Sequence, residues 1–275
     1  IRDHPDIRAV FLINPTYFGV TSDLTAIIEL CHANQILVLV DEAHGAHFPF
    51  HPDFPPGAMA MGADMSTASV HKTCGSLTQS SILLLNERFI SRKKVKTTLN
   101  LIQTTSPSYL LMASLDLARK KLVGEGEELY DRLLGEVRMA REAIGRIAGL
   151  QVMTPEYVDT REGRNAFDET KLVIRVNGLG LTGFEVYDLL KADYNIQVEL
   201  AETYVILAVV GPGDDQETLQ LLVDALSDIS RRFYGDKQEF EIPMSGFFEK
   251  PMTVVSPRNA FYSPKKWVHL EEAEG

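Results

Sequence analysis

Short uninterrupted apolar runs open the chain and are separated by stretches with helical spacing. Residues 8–14 (RAVFLIN) form the first run and end in a Pro-Thr-Tyr-Phe-Gly turn. Leu24, Ile27, Ile28 and Cys31 then recur at helical spacing behind Ser22, which can cap that helix. Residues 36–40 give a second apolar run with no alternation. Strand, helix and strand, with both strands apolar throughout, predict a parallel βαβ unit buried on both faces. Residues 65–69 and 80–85 read as further strands of the same sheet.

After Glu87 the spacing turns helical, with Pro107 starting one helix and Gly124 and Gly126 interrupting the next. Leu133, Val137, Ala140, Ile144 and Ile147 make one apolar stripe, the mark of a long amphipathic helix. Strand 171–176, helix 183–192, strand 203–210 and helix 215–233 then predict a small α+β unit. Pro243, Pro251, Pro257 and Pro264 punctuate the last forty residues, which have no period and read as an extended arm. The expected organisation is an α/β large domain with a mostly parallel sheet over 1–123, a linker helix with a smaller α+β domain over 124–236, and the arm over 237–275.

Composition narrows the function classes. The 275 residues have room for about two domains, and 45% hydrophobic with 24% charged residues is the balance of an ordinary globular chain. No apolar run is long enough to span a bilayer, and no charged-then-apolar leader precedes residue 8. The chain opens on Ile1, just before a strand, and reads as a piece of a longer polypeptide. A net charge of -11 argues against a nucleic-acid partner and is compatible with a cationic substrate. Cys31 and Cys74 form no C-x-x-C pair, which fits a reducing cytoplasm and offers no zinc or redox motif.

Three motifs point elsewhere and are set aside. Asp41-Glu42-Ala43-His44 spells a helicase box, but no Gly-Lys dipeptide exists to build a phosphate-cradling GxxxxGK[ST] loop. Residues 178–183 match GxGxxG, yet Thr182 with Glu185 makes a capping box, and too few strands follow for a dinucleotide fold. His44, His47 and His51 are spaced like metal ligands, but Pro49 and Pro52 break any helix that would align them, so no metal is expected.

The informative pair is Asp41, at the end of a strand, and Lys72, after the next one. Catalytic groups in open parallel sheets gather at the carboxyl ends of strands. A lysine there can form a Schiff base with an aldehyde cofactor such as pyridoxal 5′-phosphate (PLP), and a carboxylate can keep that cofactor's ring nitrogen protonated. Ala43 is small enough for a flat ring, and Ser69 and His71 offer donors suited to a phosphate. On spacing alone, an exposed lysine and a turn-capping aspartate explain the same residues.

The run VDEAHGAHFPFHPDFPPGAMAMGADMSTASVHKTCGSLTQSSILLLN resembles the Orn/Lys/Arg decarboxylase family, PLP enzymes of the aspartate-aminotransferase fold, and its shorter bacterial type in particular. NPTYFGVTSDL at 14–24, LIQTTSPSYLLMASLD at 101–116, NGLGLTGFEVYDLL at 177–190 and SPRNAFYSPKKWVHLEEA at 256–273 carry the resemblance across nearly the whole chain. The resemblance implies fold type I and decarboxylation of arginine or lysine, with ornithine third, to an amine and CO2. Lys72 becomes the Schiff-base lysine, Asp41 the partner of the pyridine nitrogen, and Ala43 the residue behind the ring. Ser69 and His71 hold the phosphate or position the lysine, and His44 lies near the substrate carboxylate or ring edge. Asn14 and Thr16 touch the ring's 3′ oxygen, while Thr105, Ser106 and Ser108 reach the cofactor of a neighbouring subunit in a homodimer or higher oligomer. Glu42, Glu199 and Glu202 are the candidate carboxylates for the substrate's distal cation.

The residues here do not include the family's N-terminal portion, with its glycine-rich helix start for the phosphate and its ring-stacking aromatic or histidine. They also stop before the C-terminal decarboxylase region is complete. A fragment or split subunit that needs a partner is therefore the alternative expectation. Another fold type I enzyme, an aminotransferase or desulfurase, shares the lysine motif but not the DEAHGAH and TSPSYLL stretches.

Overall fold

In the computed structural model, which describes residues 5–159, 164–235 and 252–273, the apolar runs of the first ninety residues lie side by side. Strand β1 (Ala9–Ile13) leads through a short strand β2 (Val20–Ser22) into helix α1 (Leu24–Ala33) and then β3 (Leu37–Asp41). Strand β4 (Met65–Ala68), a single helical turn α2 (Val70–Thr73) and β5 (Ile82–Leu85) follow. The sheet order is β1-β3-β4-β5, with β1, β3 and β4 parallel and β5 antiparallel at the edge. Val38 and Val40 of β3 pack on Leu24, Ile28 and Cys31 of α1, which supplies one covered face.

The first strand departs from the expectation of burial on both faces. Ala9, Phe11 and Ile13 alternate with half-buried residues, and Phe11 and Ile13 are 65% and 62% exposed. The cause is layer count: α1 covers one face, and among the described residues no helix covers the other. Register places Ile13, Asp41 and Thr67 in one row across the sheet, on the open face with Phe11 and Leu39.

Two helix ends also differ from the sequence reading. Asp23, not Ser22, caps α1, its side chain accepting from the Ala26 N–H, while Ser22 belongs to β2. Helix α3 (Arg92–Ile102) precedes α4 (Tyr109–Gly145), which Ser108 caps and which runs unbroken through Gly124 and Gly126. Neither glycine interrupts it. A Cβ on Gly126 would sit 3.2 Å from the Phe50 Cβ, so the small residue lets α4 approach the short 3-10 turn Phe48–Phe50. The division expected at 123/124 thus falls inside α4.

The small sheet follows: β6 (Gln151–Val152), α5 (Pro155–Asp159), β7 (Arg164–Phe167), β8 (Lys171–Arg175), α6 (Gly183–Tyr194), β9 (Leu200–Ala201), β10 (Val205–Val209) and α7 (Gln216–Phe233). It is antiparallel in the order β6-β8-β10-β9, and β7 pairs separately with β2. Leu133, Val137 and Ile144 of α4, Leu172 and Ile174 of β8, Ile206 of β10, and Leu226 and Ile229 of α7 form its fully buried core. The residues of the GxGxxG match do cap a helix: Thr182 and Glu185 bond reciprocally across the first turn of α6. Gly183 is required there, because a Cβ would lie 2.2 Å from the carbonyl oxygens of Glu202 and Val205.

Residues Ile1–Phe240 form one compact unit and Glu241–Gly275 another. Within the second, a short helix α8 (Pro257–Tyr262) and a 3-10 turn at Leu270–Glu272 interrupt the expected extended arm. Pro243 and Pro251 lie outside the described residues. No helix among the described residues is long and apolar enough to cross a membrane.

Candidate active site

The carboxyl ends of β1, β3 and β4 converge. The Asn14 N–H donates to the Asp41 carbonyl at 2.9 Å, and the Glu42 N–H donates to the Thr67 carbonyl at 2.9 Å, which fixes the loop after each strand. Asp41 is half-buried, and its Oδ1 accepts from the Ala43 N–H at 3.0 Å, so Ala43 stands directly beside it. Chain alternation sends Glu42 the other way. Its two oxygens are held inside the fold by the Ala58 N–H at 2.7 Å and the Ser66 hydroxyl at 2.8 Å. Glu42 is thus a buried strut rather than a carboxylate facing the Asp41 cluster.

Lys72 projects from α2, whose position is set from several sides. Tyr130 of α4, buried, donates its hydroxyl to the Thr73 carbonyl at 3.1 Å. His71 reaches the Ser80 carbonyl at 2.8 Å through Nδ1, which therefore carries a proton. Ser69 occupies the N-cap position with its hydroxyl uncommitted to the helix. Lys72 itself is exposed, and its Nζ meets Nε2 of buried His44 at 3.1 Å.

His44 remains neutral at pH 7. Burial is the main cause, and the positive charges of Lys72 and Lys171 add to it; together they lower its pKa to about 4 against the opposing pull of Glu199 and Asp41. With Nε2 accepting from the lysine ammonium, Nδ1 bears the hydrogen, and that buried nitrogen has no protein partner. The Nδ2 of buried Asn14 is likewise unpartnered, while its Oδ1 accepts from the Ser22 N–H at 2.8 Å. Two orphaned donors beside one carboxylate and one lysine suit a ligand rich in oxygen acceptors.

Tyr17, which sequence reasoning did not single out, completes the cluster. Its ring lies 4.2 Å from the His44 ring, tilted by 54°. Its hydroxyl donates a hydrogen bond to Glu199, which together with burial pushes the phenol up to about 12. Glu199 lies 182 residues away in the chain, so only the folded sheet pairs them. Thr16 fixes the loop that carries Tyr17: its N–H donates to the Val20 carbonyl at 2.8 Å, and its Oγ1 accepts from the Val20 N–H at 3.1 Å.

The remaining candidates are placed apart. Thr105, Ser106 and Ser108 are exposed between α3 and α4, and no hydrogen bond among the described residues joins them to the Asp41–Lys72 cluster. No such bond links the Glu202 side chain to it either. The three histidines diverge: His44 meets Lys72, His47 lies 3.2 Å from Asp168, and His51 bonds Asp131 at 3.0 Å. No group of three metal-ligating side chains occurs among the described residues.

The Orn/Lys/Arg decarboxylase family, major domain, matches residues 1–218. The chain belongs to this family. The arginine decarboxylase of Bacillus subtilis is 42% identical over 278 residues, covering 100% of this chain and 56% of its own length. That of Halalkalibacterium halodurans is 43% identical, covering 99% of this chain and 55% of its own length. The chain therefore spans a little over half the length of these family members. Among solved structures, lysine decarboxylase A from Pseudomonas aeruginosa superposes with a TM-score of 0.72 at 19% identity, over 83% of this chain and 37% of that one. An alanine–glyoxylate aminotransferase from Nostoc gives a TM-score of 0.65 at 19% identity, over 83% of this chain and 63% of that one. These likenesses establish the α/β fold type I architecture expected for the family.

Proposed function

We propose that this chain carries the PLP-binding centre of a decarboxylase acting on a basic amino acid. The observation that carries the reading is the convergence of Asp41, Lys72 and His44 at the sheet's carboxyl edge beside two buried donors without partners. PLP, when bound, supplies an electron sink for the pair left behind when the Cα–carboxylate bond breaks. Lys72 Nζ would hold the cofactor's aldehyde. Asp41 would bind the pyridine nitrogen and keep it protonated, and Ala43 would leave room for the ring. Asn14 Nδ2 and the Thr16 hydroxyl would serve the 3′ oxygen, and the Ser69 hydroxyl would serve the phosphate. His71, already bonded to Ser80, chiefly positions Lys72. Neutral His44 accepts from Lys72 at Nε2, so a proton can be held between the two before one is returned to Cα.

Arginine is favoured over lysine, and both over ornithine, because several of the most similar relatives are named arginine decarboxylases. Glu199 is the carboxylate we assign to the distal cation. It is exposed, belongs to the same cluster through Tyr17, and has no cationic partner among the described residues. Thr105, Ser106 and Ser108 are assigned to a neighbouring subunit's site in a cytoplasmic homo-oligomer, consistent with their exposure. A second reading, that this chain turns over substrate only with further polypeptide, is favoured by the open apolar face that carries Asp41.

The experiment is to add PLP to the purified chain, record the visible spectrum, reduce with borohydride and map the labelled peptide. Labelling of Lys72, followed by CO2 release from arginine, supports the proposal. Labelling spread over surface lysines would refute the assigned site. Labelling of Lys72 without CO2 release would favour the second reading, and amino transfer to a keto acid would replace decarboxylation as the reaction.

A further inference from the structure

Behind the candidate site lies a buried ionic cluster with no part in the proposed chemistry. Asp168, in the turn between β7 and β8, and Lys171, the first residue of β8, are both fully buried. Lys171 Nζ donates to Asp168 Oδ2 at 2.9 Å and to Thr170 Oγ1 at 3.2 Å. Asp168 Oδ1 accepts from the Thr170 N–H at 3.0 Å and from its hydroxyl at 2.7 Å. Burial alone would raise the Asp168 carboxyl, yet Lys171 and His47 beside it hold it far below the usual carboxylate range. Asp168 therefore stays ionised in the folded chain.

Two loops of the site bear on this pair. The DEAHGAH loop, which carries His44, brings buried His47 to 3.2 Å from Asp168 Oδ2. The loop between β1 and β2, which carries Tyr17, is held by the Asp168 N–H donating to the Gly19 carbonyl at 2.8 Å. Gly19 lies so close that a Cβ there would sit 2.8 Å from Lys171 Cγ and 3.0 Å from the Asp168 carbonyl oxygen. Beyond it, β2 pairs with β7. His44 and Tyr17 are thus on separate segments that both bear on the buried Asp168–Thr170–Lys171 turn.

We propose that the Asp168–Lys171 ion pair is a positioning element of the site, clamping the two loops so that the Tyr17 ring seats on His44. The inference rests on the reading of His44 and Tyr17 as site residues, but its geometry stands without cofactor. A buried pair is a costly way to build a core when an apolar one of similar volume often serves as well. It does fix orientation, because each of its polar atoms has a directed partner.

The test uses the chain without PLP, by NMR with labelled histidine and tyrosine. The double variant Asp168→Asn/Lys171→Met removes both charges at nearly constant volume. It is expected to fold, to lose the Tyr17–His44 ring cross-peaks, and to change the titration midpoint of His44. Burial and the charges of Lys72, Lys171, Glu199 and Asp41 set that midpoint; the double variant removes the Lys171 charge directly, so the ring cross-peaks and the charge-neutral Thr170→Val carry the test of the clamp. His32, bonded to Asp64, and His51, bonded to Asp131, serve as internal controls whose signals stay in place. Thr170→Val is the milder variant, removing the hydroxyl that bonds both partners, and a smaller displacement in the same sense is expected. It keeps the test decisive if the double variant does not fold. Wild-type Tyr17–His44 cross-peaks in either folded variant, or shifts of all the histidines alike, would overturn the clamp. Failure of Lys72 labelling by PLP would instead count against the functional reading and leave this measurement standing.

Discussion

Replacing Glu42 by alanine removes both acceptors of a buried carboxylate. The Ala58 N–H at 2.7 Å and the Ser66 hydroxyl at 2.8 Å would be left without partners in the interior. Each such orphan costs about 1–3 kcal/mol, and relief from burying a charge offsets part of the sum, so a net loss of about 3 kcal/mol is expected. At about 2–4 °C per kcal/mol for a domain of this size, the melting temperature should fall by roughly 6–12 °C. Glu42→Gln keeps an acceptor for Ala58 and can donate to Ser66 Oγ, so its loss should be only about 1 kcal/mol. The pH dependence gives a second handle. Burial raises the Glu42 carboxyl, against the lowering effect of its two hydrogen bonds. A raised folded-state pKa means that the folded chain holds the proton more tightly, so stability falls as pH rises from the unfolded carboxylate value through the folded one. The glutamine variant should lose that slope. Urea denaturation of the three proteins across that pH range is the assay. An unchanged midpoint for Glu42→Ala, with a raised KM for a basic substrate, would refute the strut and return Glu42 to the substrate pocket.

Three further outcomes are expected. Because the folded pKa of His44 is about 4 against 6.5 for the free side chain, its contribution to stability is complete above pH 6.5 and is lost as pH falls toward 4. The loss should be on the order of 1–2 kcal/mol after screening by solvent, absent in His44→Gln, and measurable by comparing the two denaturation profiles. Glu199→Gln should bring the Tyr17 phenol down from about 12 toward 10, read by ultraviolet titration against Tyr17→Phe; an unmoved titration would disprove the Tyr17–Glu199 bond. Gly183→Ala should cost about 3 kcal/mol or more, since its methyl would meet two backbone carbonyls at 2.2 Å, and a neutral thermal scan would contradict that contact.

Local signals carried the first half of the fold. The β1–α1–β3 unit, Asp41 at a strand end and Lys72 after the next strand all follow from apolar runs and their breaks. What the chain did not disclose depends on distant partners. Tyr17 gains its role from Glu199, and Asp168 and Lys171 from His47 and Gly19, contacts that no periodicity encodes. The apolar content of β1 could not tell a covered face from an open one, because Phe11 and Ile13 are equally hydrophobic in both. Gly124 and Gly126 read as breaks because helix propensity penalises glycine, but packing on Phe50 and the small-sheet core outweighs roughly 1 kcal/mol per glycine.

The unbroken α4 also has a mechanical consequence. Its 37 residues make a beam about 55 Å long at 1.5 Å per residue. One stretch carries Tyr130, which braces the turn bearing Lys72, while later turns line the core of the small sheet. A continuous hydrogen-bonded helix transmits rotation along its length. Any opening or closing of the small sheet over the lysine must therefore be accommodated in the short connections at its two ends, residues 103–108 and 146–150, and a proline placed at position 124 should make a joint where the molecule has none.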